Sequence, residues 1–290
     1  MRSLFAIALA LALGFCAAAA QAEPISVVAA ENFYGDIAAQ IGGPNVAVTS
    51  ILANPDQDPH LFEASASTAR AIAAARVVIV NGADYDPWME KLLSASRSPG
   101  REVIEAAKLV HKKAGDNPHL WYDPATMPAV AKALAATLAR LDPAHRGDYE
   151  QRLAAFLASL EPLNAKIAAM RKQYAGTPVT AVEPVFGYMA AALGLKMRNE
   201  RFQLAVQNDT EPSPSEIAAF QKDLKTRAVK VLLYNSQTEE EVTKKMRELA
   251  QQSGVPVVGV SETAPPDTQY QAWMLKQLDA LGAALGGKGS

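Results

Sequence analysis

Hydrophobic and polar positions in the first half of the chain alternate between two periods. Short apolar runs that are rich in β-branched residues and bounded by Gly, Pro or Asn predict buried strands, and apolar residues three and four positions apart predict helices. The predicted strands are residues 25–30, 46–52 and 77–82, and the predicted helices are residues 33–41, 65–75 and 88–93. This alternation continues to about Leu141, so it predicts a mostly parallel sheet with helices on both faces.

One long helical period follows Asp142 and Pro143. Apolar residues recur at steps of three and four and predict a single helix over residues 144–174. Pro162 lies inside this helix, and we expect it to bend the helix because proline removes a backbone hydrogen bond. The stretch from Gly176 to Pro178 ends the helix.

Alternation of strands and helices resumes after this helix. The predicted strands are residues 179–182, 229–234 and 256–261, and the predicted helices are residues 185–193, 215–224, 238–252 and 268–285. The predicted fold class is therefore α/β, with two parallel-sheet βαβ lobes joined by one long backbone helix. The predicted boundaries are residues 23–143 for the first lobe, 144–175 for the linking helix and 176–290 for the second lobe.

Residues 1–22 have the pattern of a cleaved export signal. A basic start precedes an apolar run over residues 4–15, and Ala20-Gln21-Ala22 forms a small-x-small cleavage pattern. This apolar run is short for a permanent membrane anchor, and we expect no later run to span a bilayer. The signal predicts a periplasmic protein that begins at Glu23.

Cys16 offers a different end to the same signal, because a lipid can be attached to such a cysteine. Phe15 stands before it, where lipid processing favours a small residue, so we expect cleavage after Ala22 instead. Cys16 is also the only cysteine, so residues 23–290 can form neither a disulfide nor a thiolate metal site. Removing one Arg with the signal changes the net charge from -2 to -3, which argues against a nucleic-acid partner.

Two of the four histidines lie in nearly the same local sequence. His60 lies in Asp-Pro-His-Leu-Phe, and His119 lies in Asn-Pro-His-Leu-Trp. Proline stiffens the backbone before each ring, and we expect the following Leu and aromatic residue to bury beside it. A single such His would more often be an ordinary loop residue, but the repeated setting favours two metal ligands. His111 and His145 are expected to be solvated surface residues.

Two glutamates directly follow predicted strands of the second lobe. Glu183 follows the strand over residues 179–182, and Glu262 follows the strand over residues 256–261. Ligands of open parallel sheets bind beyond the carboxyl ends of the strands, so both carboxylates are candidate ligands. The alternative for Glu262 is an ordinary loop charge that faces solvent.

Several short motifs, taken in order, resemble the TroA/ZnuA/PsaA-type proteins, the metal-binding solute-binding proteins of ABC importers. The resemblance covers essentially all of residues 23–290. The motifs are DPHLFE at residues 58–63, Asn81-Gly82 with Trp88, NPHLW at 117–121, Asp123-Pro124, EPVFGY at 183–188, EPSP at 211–214, and Ser261-Glu262.

The resemblance implies two α/β lobes with one metal ion bound between them. It implies that His60, His119, Glu183 and Glu262 are the ligands. It further implies that the transported ion is delivered to an ABC permease in the inner membrane, that the chain is not an enzyme, and that it acts as a monomer. We expect metal binding to weaken at acid pH as the two histidines protonate.

The residues leave the metal open between Mn²⁺ and Zn²⁺. Many zinc-binding members have His where Glu183 stands, whereas manganese-type members have Glu, and Glu262 occupies a position that is more often Asp. The long His-rich loop of many zinc members is also missing. Bidentate carboxylates would suit Mn²⁺, and monodentate carboxylates would suit tetrahedral Zn²⁺. Met189 and Met197 are expected to be core residues rather than ligands.

Two other functional classes are alternatives to metal capture. A metal-dependent hydrolase or oxygenase could use the same His and Glu residues. Four protein ligands would, however, leave no open coordination position, and the sequence suggests no separate general base. A surface adhesin is the third possibility, and it would predict a lipid anchor through Cys16.

Overall fold

The computed structural model describes residues 23–238 and 240–287. The predicted export signal over residues 1–22, with Cys16 and the cleavage pattern, lies outside these residues. Within the described part, the chain contains eight strands in two sheets and twelve α-helices.

The first lobe is built on a four-stranded parallel sheet in the order β2-β1-β3-β4. Its inner strands β1 and β3 are almost continuously apolar because helices cover both faces of the sheet. The strands are β1 (Ile25–Glu31), β2 (Val46–Leu52), β3 (Val77–Val80) and β4 (Glu102–Glu105), and the helices are α1 (Asn32–Gly42), α2 (Ala66–Ala74), α3 (Pro87–Ala95), α4 (Ala106–Leu109) and α5 (Thr126–Leu141).

The second lobe repeats this plan with a parallel sheet in the order β6-β5-β7-β8. Between the two lobes lie α6 (Arg146–Ser159) and α7 (Glu161–Tyr174). The strands of the second lobe are β5 (Pro178–Ala181), β6 (Lys196–Arg198), β7 (Leu232–Asn235) and β8 (Val257–Val260), and its helices are α8 (Gly187–Ala192), α9 (Glu200–Gln207), α10 (Pro214–Lys225), α11 (Glu241–Gln252) and α12 (Tyr270–Leu285). The predicted two-lobe α/β fold is confirmed.

The linking helix runs from Pro143 to Tyr174 and is bent, as predicted. Helices α6 and α7 meet at Leu160, and Pro162 lies in the first turn of α7. Proline is tolerated at a helix start, where a backbone N–H would lack a partner in any case. The bend therefore falls just before Pro162.

The same helix has one 18-residue window with a mean hydropathy of 1.2, so length and composition alone would allow it to cross a membrane. Our expectation that no later run is apolar enough is wrong on this measure. A core helix of a globular protein can pass the same test, and here 28% of the window is buried, including Leu163, Ile167 and Met170 in the protein core. Helix α7 packs against α12, and α6 packs against α1 and α5.

Helix α12 connects the two lobes a second time. Trp273 stacks on Phe33 of the first lobe at a centroid distance of 5.9 Å, and the Tyr270 hydroxyl donates to the Trp121 carbonyl at 2.8 Å. One apolar cluster consequently runs through both lobes and the linking helix. We expect this shared core to restrict the motion of one lobe against the other.

The apolar pattern missed two edge strands. Residues 102–105 and 196–198 form β4 and β6, yet both carry charged side chains, as edge strands commonly do. Strand β3 is also two residues shorter than predicted. The backbone N–H groups of Asn81 and Gly82 bind the Asp86 carboxylate at 2.8 Å, so the chain leaves the sheet there.

Candidate metal site

The structure brings the four predicted ligands together between the lobes. One potential ligand atom from each of His60, Glu183 and Glu262 lies within 4.8 Å of the others. The Nε2 atom of His119 lies 3.6 Å from the Glu262 carboxylate. Glu183 and Glu262 each stand two residues beyond a strand, β5 and β8, at the carboxyl edge of the second sheet.

His119 is fully buried, and Asn117 orients its ring through the nitrogen that faces away from Glu262. The Nδ1 atom lies 2.7 Å from Asn117 Oδ1, which can only accept a hydrogen bond, so Nδ1 carries the proton. In the neutral ring the lone pair is then on Nε2, on the side of Glu262. Nε2 is buried and has no hydrogen-bond partner among the described residues. A buried, unpaired nitrogen of this kind fits a metal ligand.

His60 lies at the more open side of the site. Its side chain is 33% exposed, and its Nε2 lies 3.3 Å from Glu262 Oε1. Asp58 accepts a hydrogen bond from the His60 backbone N–H at 2.8 Å and so fixes the short turn Pro59–Leu61. The expectation that the following Leu buries beside the ring is wrong here, because Leu61 is 76% exposed.

Glu262 is fully buried, so the alternative of a loop charge facing solvent is wrong. Its Oε2 accepts a hydrogen bond from the Tyr85 hydroxyl of the first lobe at 2.8 Å. Its Oε1 accepts a hydrogen bond from the Asn235 amide at 2.5 Å. Glu262 is therefore contacted by groups from both lobes.

Glu183 is also buried, with 5% of its surface exposed. Its Oε1 accepts from the Thr238 hydroxyl at 2.5 Å, and its Oε2 accepts from the Asn235 amide at 3.1 Å. Pro184 follows at the start of a short 3-10 turn and directs the chain into α8. These contacts hold the carboxylate on the side of the site that belongs to the second lobe.

The ionisation of these groups is strongly coupled. Burial raises the pKa of Glu262, but the neighbouring His119 and His60 rings outweigh burial and hold this pKa well below its usual range. Burial lowers the pKa of His60, but the hydrogen bond and charge of Glu262 raise it overall to about 9. Burial raises the pKa of Glu183 despite hydrogen bonds from Thr238 and Asn235. In the ion-free protein His60 is therefore a cation paired with Glu262.

The donor set suits a borderline or hard divalent cation. Two imidazole nitrogens and four carboxylate oxygens are available, and two ionised glutamates would balance a charge of +2. Burying two carboxylates next to each other is unfavourable without a nearby cation. An ion would replace the His60 proton as the positive charge in the site.

The other histidines and methionines lie elsewhere. His111 is exposed, and His145 binds Asp142 at 2.6 Å near the start of the linking helix. Met189 is buried in the core, and Met197 packs against it.

Sequence reasoning missed the residues that surround the carboxylates. Asn235 ends β7 and Gln237 lies two residues beyond it, at the same sheet edge as the two glutamates, so the rule that selected Glu183 and Glu262 could have included them. Gln237 donates to the Gln57 carbonyl at 3.2 Å and accepts from the Glu262 backbone N–H at 2.6 Å. It thereby ties the loop before His60 to the loop of Glu262. No comparable signal marks Tyr85.

Comparison with known proteins adds the decisive observation. The family model described as ZnuA, zinc-uptake complex component A, periplasmic, matches residues 27–284. The chain belongs to the ZnuA family. The predicted resemblance is confirmed, and so is the predicted function at the level of periplasmic metal capture for import.

Relatives of this ZnuA-family chain are named as metal-binding or metal-transport proteins. The iron ABC transporter substrate-binding lipoprotein MtsA of Streptococcus pyogenes serotype M1 is 23% identical over 290 residues, which cover 92% of this chain and 90% of MtsA. The solved periplasmic zinc-binding protein TroA of Treponema pallidum superposes with a TM-score of 0.75 at 21% identity, covering 91% of this chain and 99% of TroA. FpvC of Pseudomonas aeruginosa in complex with Mn²⁺ gives 0.74 at 23% identity, covering 92% and 100%. At these identities the two superpositions show a shared fold.

Proposed function

We propose that this chain captures one Mn²⁺ or Zn²⁺ ion through His60, His119, Glu183 and Glu262 and delivers it to an ABC permease. The observation that carries this proposal is the meeting of two imidazole rings from the first lobe with two buried carboxylates from the second. Because the ligands come from both lobes, binding of a metal ion is linked to the relative position of the lobes, and a permease can sense this position.

The identity of the metal depends on how the glutamates bind. One oxygen from each carboxylate with two imidazoles gives the four-coordinate shell that Zn²⁺ prefers. Bidentate carboxylates give five or six ligand atoms, which suits Mn²⁺. The chain's relatives and structural neighbours are named for iron and zinc or were solved with Mn²⁺. We therefore keep both ions in the proposal.

The remaining parts of the proposal concern the setting of the protein. We propose export through residues 1–22 with cleavage after Ala22, in preference to a lipid anchor at Cys16, because Phe15 precedes that cysteine. We propose a monomer without a nucleic-acid partner, with domain boundaries at residues 143/144 and 175/176. We also propose that the chain is not an enzyme, because four protein ligands would leave no open coordination position on the ion.

Metal titration of the purified protein tests the proposal. We expect one equivalent of Mn²⁺ or Zn²⁺ to bind, with competition between the two ions measured by calorimetry. We expect the double variant His60→Ala/His119→Ala to lose binding, while His111→Ala, which changes an exposed histidine, binds as before. Unchanged binding by the double variant, or turnover of ester, phosphate or oxygen substrates by the loaded protein, would contradict the proposal.

The pKa of His60 predicts a specific pH dependence. Since His60 keeps a proton up to about pH 9 in the ion-free protein, an entering ion must displace that proton. We expect apparent affinity to rise about tenfold per pH unit from neutral pH towards 9 and then to level off. Calorimetry in buffers of different ionisation enthalpy should show one proton released per ion.

One variant distinguishes the titration of His60 from a general weakening of metal binding at acid pH. His60→Gln removes the titrating ring, so its affinity is expected to be lower and less dependent on pH above 7. His111→Gln is the matched control and should keep the full slope. A wild-type affinity that is flat between pH 7 and 9 would contradict the assignment of His60.

A further inference from the structure

Asn235, the last residue of β7, lies between the two proposed carboxylate ligands. Its Nδ2 atom is 3.1 Å from Glu183 Oε2 and 2.5 Å from Glu262 Oε1. Only 2% of Asn235 is exposed. An amide nitrogen has two N–H donors, so this single group uses both of them to join the two glutamates.

The backbone determines which way this amide points. The Gln237 backbone N–H donates to Asn235 Oδ1 at 3.0 Å. Turning the amide over would leave that N–H facing a donor and would place an oxygen against two carboxylates. The hydrogen bond from the Gln237 backbone therefore keeps the Asn235 nitrogen, and not its oxygen, facing the two glutamates.

The other two carboxylate oxygens also have neutral donors. Thr238 donates to Glu183 Oε1, and Tyr85 donates to Glu262 Oε2. Each of the four carboxylate oxygens therefore accepts at least one hydrogen bond. Rotating either carboxylate would break two hydrogen bonds at once, so the planes of both groups are set before an ion arrives.

We propose that Asn235 is a specificity-determining positioning residue that favours an ion taking one oxygen from each glutamate. This inference rests on the proposed function. The shared amide fixes the distance between Glu183 Oε2 and Glu262 Oε1, and it fixes the planes of both carboxylates. It thereby favours four-coordinate Zn²⁺ over an ion such as Mn²⁺, which accepts bidentate carboxylates and a larger shell.

Replacing Asn235 is expected to weaken the binding of Zn²⁺ more than the binding of Mn²⁺. Removal of outer hydrogen-bond partners of metal ligands typically weakens binding by about 10–100-fold. We expect a loss in that range for Zn²⁺. The loss for Mn²⁺ is expected to be smaller, because freed carboxylates can turn and bind through both oxygens. The ratio of Zn²⁺ to Mn²⁺ affinity falls.

Two variants test this. Asn235→Leu keeps the approximate shape of the side chain without its donors, and Asn235→Ala removes the side chain, so one remains informative if the other fails to fold. The readouts are Zn²⁺ and Mn²⁺ competition and the visible absorption of bound Co²⁺, which is strong in four-coordinate sites. We expect weaker Co²⁺ absorption and a lower affinity ratio in both variants.

A matched control separates positioning from general destabilisation. Gln203 is a buried amide of the same lobe that donates to the Arg198 carbonyl at 2.8 Å. Gln203→Ala is expected to lower the melting temperature without changing the affinity ratio. If the Asn235 variants keep the wild-type ratio and Co²⁺ spectrum, the role of Asn235 is overturned while metal capture stands. If wild-type protein binds none of these ions, the proposed function itself fails.

Discussion

Glu262→Gln is expected to lower the affinity for both Mn²⁺ and Zn²⁺ by more than about 100-fold, beyond the usual effect of changing an outer partner of a metal ligand. The variant keeps the size of the side chain but removes the negative charge that both histidines face at 3.3 and 3.6 Å. It also replaces one acceptor with a donor, opposite either the Tyr85 hydroxyl or the Asn235 amide. Calorimetric titration with each ion measures the loss.

The control for this prediction is Glu63→Gln. Glu63 is an exposed glutamate just beyond His60, so the variant makes the same chemical change at the surface of the first lobe. We expect its affinity to match that of the wild type. An affinity of Glu262→Gln within about threefold of the wild type would remove Glu262 from the ligand set, since a direct ligand contributes more than an outer partner.

The largest effect on stability is expected from Trp121→Ala. Trp121 is fully buried, and its ring lies 4.7 Å from that of Phe33, 4.8 Å from that of Tyr85 and 5.3 Å from that of His119. Removing a buried aromatic side chain of this size typically costs about 3–5 kcal/mol, because contacts are lost and a cavity remains. Urea unfolding measures the change in the free energy of unfolding.

Trp121→Phe serves as the comparison. It retains an aromatic ring and removes the indole nitrogen, which is buried without a hydrogen-bond partner among the described residues. We expect it to lose less than half as much stability as Trp121→Ala. A loss below about 1 kcal/mol for Trp121→Ala would contradict the packing, because such a loss is typical of surface positions.

Most of the fold could be predicted from local patterns. Strands β1 and β2 and helices α1, α10 and α12 lie within one or two residues of the predicted ranges, because each has several apolar positions at one clear period. Strands β4 and β6 were missed because they are short, lie at sheet edges and carry charges. Their strand conformation depends on pairing with β3 and β5.

The four candidate ligands were also selected from the sequence, two by a repeated motif and two by their place after strands. Their environments were predicted less well. Leu61 is exposed although burial was expected, and Glu262 is fully buried although a solvent-facing alternative was open. Burial of a loop residue depends on which distant elements cover it, and the hydrophobic periodicity of the neighbouring residues cannot predict this.

By itself, the sequence determined the two α/β lobes, the bent helix between them and the residues that meet at the site, since these follow from local periodicity, a repeated histidine motif and strand ends. Only the tertiary structure decided how those residues are held. Tyr85 and Glu262 are 177 positions apart, and Asn235 is 52 positions from Glu183. Such hydrogen bonds form only when folding places the groups within about 3 Å of one another.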